Sequence, residues 1–284
     1  RQYWDYVDED LEASMRGKSR ITFYLPADET GFSKMAEVRI ALEKLKQERT
    51  DCGTLLMTLD NLEDADWENN WKQYYKPMEI GERLLVIPQW LQEDPKVKKL
   101  LSQGRVPLIL DPGLTFGTGA HPSTQMVMEV MENVVKPGFH CLDLGSGSGI
   151  LSIAALRLGA ETAVGIDIDP KAEDIARENA AYNGFAAPAF TALTGNVTED
   201  TALMDTLAAN RYDLVLVNIV ADVIIGLAPV LPHFLNESST LICSGILDTR
   251  LSDVLDALTA AGLSVTATKA KDDWRCVTAI RKYI

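Results

Sequence analysis

Short apolar runs recur through the second half of the chain, each followed by a stretch in which apolar residues return every third or fourth position. Strand candidates begin near Cys141, Ala163, Ala189, Leu214, Leu241, Val265 and Cys276. Helical patterns lie between them at 150–159, 170–183, 199–209, 222–235 and 248–261. Strands alternating with helices predict a parallel sheet covered on both faces. The last two strand candidates, LSVTATKA and WRCVTAIRKY, are separated only by KDD, which predicts a terminal hairpin with one antiparallel strand. The expectation for residues 106–284 is therefore an α/β domain built on a seven-stranded, mostly parallel, doubly wound sheet.

The first 60 residues carry a smaller pattern. RITFYLPAD reads as a strand, SKMAEVRIALEKLKQER as a helix and GTLLMTL as a second strand, and the helix puts Met35, Val38, Leu42 and Leu45 on one stripe. This unit is too small to stand alone and reads as half of an α/β module. From 61 to 105 the character changes to that of an interdomain linker. Trp67, Trp71 and Trp90 fall here, either anchoring the linker to a domain or forming a substrate-contacting surface. EDPKVKKLLSQG reads as a short polar connector. The longest apolar stretch, Leu214 to Leu235, is interrupted by Asn218, Asp222, Pro229, Pro232 and His233. A membrane helix tolerates these badly, so the stretch reads as a buried strand followed by a helix, and no membrane partner is expected.

Composition sharpens this picture only modestly. At 284 residues, 46% hydrophobic and 24% charged, the chain fits one large globular domain with a smaller companion. Cys52, Cys141, Cys243 and Cys276 contain no CxxC pair, so neither a disulfide framework nor a metal site is expected and a reducing cytoplasm is the simplest setting. The opening residues hold no apolar h-region, so no signal peptide is expected. They also lack an initiator Met, which suggests a missing N-terminal piece. The net charge of −14 argues against direct nucleic-acid binding, which needs Lys and Arg, and suits a basic protein partner.

The chemistry concentrates in three places. LDLGSGSGIL runs from an apolar strand through Gly145, Gly147 and Gly149 into a helix. Taken alone, such a turn is either a tight bend or a ligand cradle, because glycines allow close backbone approach and a helix N-terminus presents free N–H groups. The third glycine comes one residue earlier than in a dinucleotide fingerprint. The next strand, TAVGIDIDP, ends in Asp167, 24 residues after Asp143, where a carboxylate can accept hydrogen bonds from ribose hydroxyls. No Lys-Ser/Thr follows the glycines, so this is not a P-loop, and a nucleoside without phosphates is the expected ligand.

The second place is DLVLVNIVADVI, where Asn218 ends an apolar strand at the edge where open α/β sheets bind ligands. Its side chain either caps the following helix or faces a substrate. The third is LDPGLTFGTGAHPST. Thr118, Ser123 and Thr124 offer hydroxyls and Gly117 and Gly119 offer amides. Pro122 suits the first turn of a helix whose stripe is Val127, Val130, Met131 and Val134. His121 reads as loop structure, and His140 and His233 as incidental.

The glycine turn and Asp167 resemble class I S-adenosylmethionine-dependent methyltransferases. The wider order of FGTGAHPSTQ, DLGSGSG and NIVA, with DWENNWKQYYKP and IGERLLVIPQW before it, resembles the ribosomal protein L11 methyltransferase family across nearly the whole chain. That resemblance implies a Rossmann-like methyltransferase domain and a smaller ferredoxin-like N-terminal recognition domain, here incomplete. It implies methyl transfer from S-adenosylmethionine to amino nitrogens of a large-subunit ribosomal protein: lysine side chains, with the N-terminal amine as a further acceptor. It further implies cofactor roles for Asp167, Gly145, Gly147, Thr118 and Thr124, with Phe116 shielding the sulfonium and Asn218 touching cofactor and orienting the amine. Many amino-group methyltransferases carry Asn-Pro-Pro-aromatic where this chain has Asn218-Ile219-Val220-Ala221. The missing aromatic removes the face on which a flipped base would stack. A methyltransferase of RNA or of a small molecule, or a non-catalytic cofactor-binding module, are the alternatives.

Overall fold

The computed structural model describes residues 75–112 and 119–281 continuously, with scattered positions between Leu25 and Lys72. The chain divides into two compact units, 7–74 and the remainder. In the smaller unit, helical positions run from Lys34 to Lys46. Met35, Val38, Leu42 and Leu45 are half-buried there while Lys34, Arg39, Lys44 and Lys46 are exposed, which is the stripe its periodicity predicts. The two flanking strand expectations fall almost wholly outside the described residues.

The larger unit opens with structure that its sequence pattern does not announce. Strands β1 (Met78–Ile80), β2 (Leu84–Pro88) and β3 (Val106–Leu110) form a small sheet in that order, β1 antiparallel to β2 and β2 parallel to β3. The supposed polar connector is a helix, α1 (Pro95–Ser102). Asp94 caps it by accepting from Lys96 N at 2.7 Å, and Pro95 sits at its first position. The charges of EDPKVKKLLSQG mask an amphipathic face. Val97 is buried, and Leu100 and Leu101 are half-buried, against Leu85 and Ile87, so one face of the small sheet is covered by α1. Its other face, through Leu84, Val86 and Leu108, joins the main core.

The main sheet has seven strands in the order β6-β5-β4-β7-β8-β10-β9: β4 (His140–Leu144), β5 (Thr162–Asp167), β6 (Phe190–Thr194), β7 (Tyr212–Asn218), β8 (Leu235–Leu247), β9 (Leu263–Lys271) and β10 (Trp274–Arg281). The first five run parallel. β10 inserts between β8 and β9 and pairs antiparallel with both. Helices α2 (Pro122–Val134), α3 (Ile150–Leu158) and α4 (Pro170–Tyr182) cover one face; α5 (Thr201–Ala208), α6 (Ala221–Leu227) and α7 (Leu251–Ala260) cover the other. Alternate residues of a strand therefore enter opposite cores. Leu214 and Leu216 pack on the first, Val215 and Val217 on the second. Burial on both sides explains why these strands read as continuous apolar runs. The Leu214–Leu235 stretch is strand, short helix and a 3-10 turn at Leu231–Phe234. Among the described residues, no helix is long and apolar enough to cross a membrane.

Strand order reverses between β4 and β7, because the chain moves outward through β5 and β6 and returns to β7 on the far side of β4. Open α/β sheets bind ligands at that switch point, beyond the carboxyl ends of the strands. The glycine turn, Asp167 and Asn218 all lie at those ends.

Candidate cofactor and acceptor site

β4 ends in Leu144, and the chain turns sharply through three glycines in the left-handed region: Gly145 (φ +78), Gly147 (φ +50) and Gly149 (φ +77). L-residues reach that region at a cost, glycine without one. Gly145 N and Ser146 N both donate to Ile166 O on β5, at 2.8 and 3.0 Å. The early third glycine has a packing cause. Gly149 is the residue from which α3 starts, and a Cβ there would stand 3.0 Å from Ala176 Cβ of α4. Its position is set by helix contact, and Ile150 is free to enter the core.

Asp167 closes this cradle from the side. Its Oδ2 accepts from Gly147 N at 2.9 Å and its Oδ1 from Asp169 N at 3.0 Å. The carboxylate is therefore oriented by two backbone amides and remains only half-buried. Next to it stands Ile168, 72% exposed, an apolar side chain at the sheet edge that the sequence reading passed over. A half-buried carboxylate, an exposed apolar face and a glycine turn over a helix N-terminus suit a nucleoside: hydroxyls on the acid, a ring on the isoleucine.

Beneath the turn lies a group the motif spacing used only as a landmark. Asp143, in the middle of the apolar β4, is 1% exposed. Its Oδ2 accepts from Ser152 N at 3.1 Å and Ser152 Oγ at 2.9 Å, while Oδ1 is buried with no hydrogen-bond partner among the described residues. Burial pushes its carboxyl up to about 7; the Ser152 hydrogen bonds oppose this and the charge of Asp167 adds to it. The available signal was a charged residue inside a strand buried on both faces.

On the other side of β4, Asn218 ends β7, half-buried. It does not cap the helix that follows: α6 starts from Val220 with no side-chain cap. Its Nδ2 donates to Thr124 Oγ1 at 3.1 Å. Thr124 is buried in the first turn of α2, with Pro122 at the first position as expected. His121 proves to be that helix's cap: Nδ1 accepts from Ser123 N at 3.2 Å and lies 2.7 Å from Ser123 Oγ, and the ring meets Trp274 edge-on at 4.5 Å. Gln125 Nε2 donates to Ala120 O at 2.9 Å, and Lys271 of β9 donates to Gln125 Oε1. The start of α2 is thus fixed from both sides. His140 and His233 bond to Thr162 Oγ1 and Val230 O respectively, and both are exposed. Phe116 and Thr118 lie outside the described residues, as do Trp67 and Trp71; Trp90 meets Tyr75 edge-to-face at 6.4 Å. Among the described residues no cluster of His, Cys, Asp and Glu could hold a metal ion.

Comparison with known proteins adds an independent line. The family model for ribosomal protein L11 methyltransferase (PrmA) matches residues 2–282. A ribosomal protein L11 methyltransferase of Lachnospira eligens is 36% identical over 267 residues, covering 94% of this chain and 82% of its own. One of Caldicellulosiruptor saccharolyticus is 34% identical over 281 residues, covering 98% and 86%. The crystal structure of a ribosomal protein L11 methylase from Lactobacillus delbrueckii subsp. bulgaricus is similar with a TM-score of 0.62 and 30% identity, covering 74% of this chain and all of that one. A protein crystallised in complex with SAH shares the fold alone, at a TM-score of 0.50 and 10% identity, covering 76% and 79%.

Proposed function

The chain belongs to the ribosomal protein L11 methyltransferase family, S-adenosylmethionine-dependent enzymes, and on that premise we propose that its site methylates amino nitrogens of that large-subunit ribosomal protein: lysine side chains, with the N-terminal amine as a further acceptor. S-adenosylmethionine, when bound, supplies a methyl group already activated by its sulfonium. Asp167 accepts hydrogen bonds from the ribose hydroxyls, and Gly145 and Gly147 admit the cofactor close to the backbone. The Thr124 oxygen accepts from Asn218, which leaves its O–H to donate to the carboxylate of the methionine end. Asn218 has committed Nδ2 to Thr124, which leaves Oδ1 as an acceptor for an N–H of the incoming amine. That hydrogen bond aims the nitrogen lone pair, and catalysis is chiefly positioning. Phe116 shields the sulfonium from water, and the Thr118 hydroxyl helps to hold the cofactor. Residues 1–60 recognise the protein substrate.

The observation that carries this reading is the Asn218–Thr124 hydrogen bond at the switch point, which joins the side-chain amide that ends β7 to a hydroxyl in the first turn of α2. A net charge of −14 favours a basic protein over a phosphate backbone as partner. The test is incubation of the full chain with purified ribosomal protein L11, ribosomal RNA and methyl-labelled cofactor, followed by intact-mass and peptide mass spectrometry. Label on lysine or N-terminal nitrogens is expected. Label on RNA, or on no amine of the protein, would overturn the proposal.

A further inference from the structure

We propose that the β-bulge at Ser244–Gly245 is a positioning device that sets Asn218 against the glycine turn, acting through Ile219. The β8–β10 register runs from Arg275 opposite Ile246 to Val277 opposite Cys243. Ser244 and Gly245 therefore both face Cys276, so β8 carries one extra residue here. Bulges of this kind bend a strand and are frequent beside active sites. This one has left-handed backbone at Gly245 (φ +82).

The bend drives the β8 backbone against the peptide after Asn218. A Cβ at Gly245 would stand 2.5 Å from Ile219 O, 2.9 Å from Ile219 C and 3.0 Å from Ile219 N. These are backbone atoms, so no side-chain rotation can relieve the contact. The same Ile219 donates its N–H to Ser244 O at 3.1 Å, and Ser244 Oγ is tied to Arg275 O at 3.2 Å. The Ile219 peptide is thus bonded and wedged by one bulge. Its side chain points the other way: Ile219 Cδ1 lies 3.1 Å from where Gly145 would carry a Cβ. Ile219 is a spacer between two glycines, one in the bulge and one in the cofactor turn. Its length fixes how far Asn218 stands from that turn. No side-chain cap holds α6, so the bulge is what defines where the chain leaves β7.

The inference rests on the proposed role of Asn218, and its test separates the two. Gly245→Ala should lower kcat by about ten- to a hundredfold, the range expected when a reacting group is misplaced by about 1 Å, while the cofactor Kd, measured by calorimetry, stays within about threefold. Gly184→Ala is the control: Gly184 has φ +77 but nothing among the described residues within 4 Å of its Cβ position, so it carries comparable backbone strain with no described neighbour to displace. Its kcat should match wild type. A Gly245→Ala enzyme with unchanged kcat, or with kcat and cofactor affinity falling together, would overturn the proposal. Should Gly245→Ala fail to fold, Ile219→Val decides, because it removes only Cδ1, the Ile219 atom nearest the Gly145 Cβ position. A kcat loss of about threefold or more at unchanged Kd supports the spacer; unchanged kcat refutes it. If the wild-type chain methylates no amine, the proposed function falls and the bulge proposal with it; if wild type is active and both variants are unimpaired, only the bulge proposal falls.

Discussion

Asn218 and Thr124 are 94 residues apart in the chain and joined by one hydrogen bond, Nδ2 to Oγ1 at 3.1 Å. The bond divides the polar atoms of both side chains. It leaves the amide its carbonyl oxygen as an acceptor and the hydroxyl its proton as a donor. Removing either polar group alters what the other presents.

Asn218→Ala is expected to lower kcat by on the order of a hundredfold, typical of losing one positioned contact, with a smaller change in cofactor affinity. Thr124→Val, which keeps the shape and removes both hydrogen bonds, should impair kcat and cofactor affinity together; Thr124→Ser should restore most of each. Steady-state kinetics with calorimetric Kd values measure this, and a Thr124→Val enzyme with wild-type behaviour would remove the hydroxyl from the site.

Asp167→Ala should weaken cofactor binding by roughly tenfold or more. Hydrogen bonds to a charged group are each worth about 1.5–3 kcal/mol, and water recovers part of that loss. The structure adds a second cost, since the same carboxylate holds Gly147 N and Asp169 N. Asp167→Asn should fall between, because the amide oxygen still accepts from one backbone N–H. Unchanged affinity in Asp167→Ala would contradict a ribose-binding role.

The pH dependence of the rate tests amine selection. Only neutral lysine attacks a methyl group, and a free lysine ionises near ~10.4. The proposed acceptor contact, Asn218 Oδ1, is an amide oxygen and does not act as a general base. The rate on lysine should therefore rise from pH 7 to 9 with a logarithmic slope near one, while an N-terminal amine, with a pKa near ~8, levels off sooner. A flat lysine profile with chemistry rate-limiting would reveal a dedicated base.

Asp143 makes a separate prediction for stability. Its carboxyl is raised to about 7 from 3.8, first by burial. Between those values the folded chain holds a proton that the unfolded chain has released, so this group's contribution declines as pH rises toward 7. At ~1.36 kcal/mol per pH unit, the decline from pH 5 to 8 is roughly 2–3 kcal/mol. Asp143→Asn cannot titrate. The difference in urea-unfolding free energy, wild type minus Asp143→Asn, should fall by that amount between pH 5 and 8. A constant difference would show that Asp143 is ionised throughout.

Glu132 of α2 secures the small sheet to the main domain. Its two oxygens accept from Glu82 N and Arg83 N at 2.8 Å and from Leu84 N at 3.0 Å. Glu132→Ala removes the carboxylate that accepts from these three amides of the β1–β2 connection and should cost about 2–3 kcal/mol. Hydrogen exchange should speed up at those three amides before any others. Uniform exchange across the domain would argue against a local clasp.

Much of this architecture is local and so was written along the chain. Strands buried on both faces must be apolar runs, as at 214–217, and helices packed on one side must show stripes, as at Val127 and Met131. The glycine turn, Asp167 and Asn218 announce themselves because an unusual residue stands at the end of a regular pattern. What the sequence could not announce depends on partners distant in the chain. The three-stranded sheet of 78–110 was hidden because β1 is only three residues long and because α1, which would have marked β2 and β3 as a β-α-β unit, was itself hidden by its lysines. His121 as a cap, Asp143 as a buried acid, the Asn218–Thr124 bond and the Ser244–Gly245 bulge arise only when strands take their register and helices their seats. Residue type and spacing determine which groups can reach a sheet edge. Which atoms of those groups are already committed there, and which remain for a ligand, is decided by tertiary contacts alone.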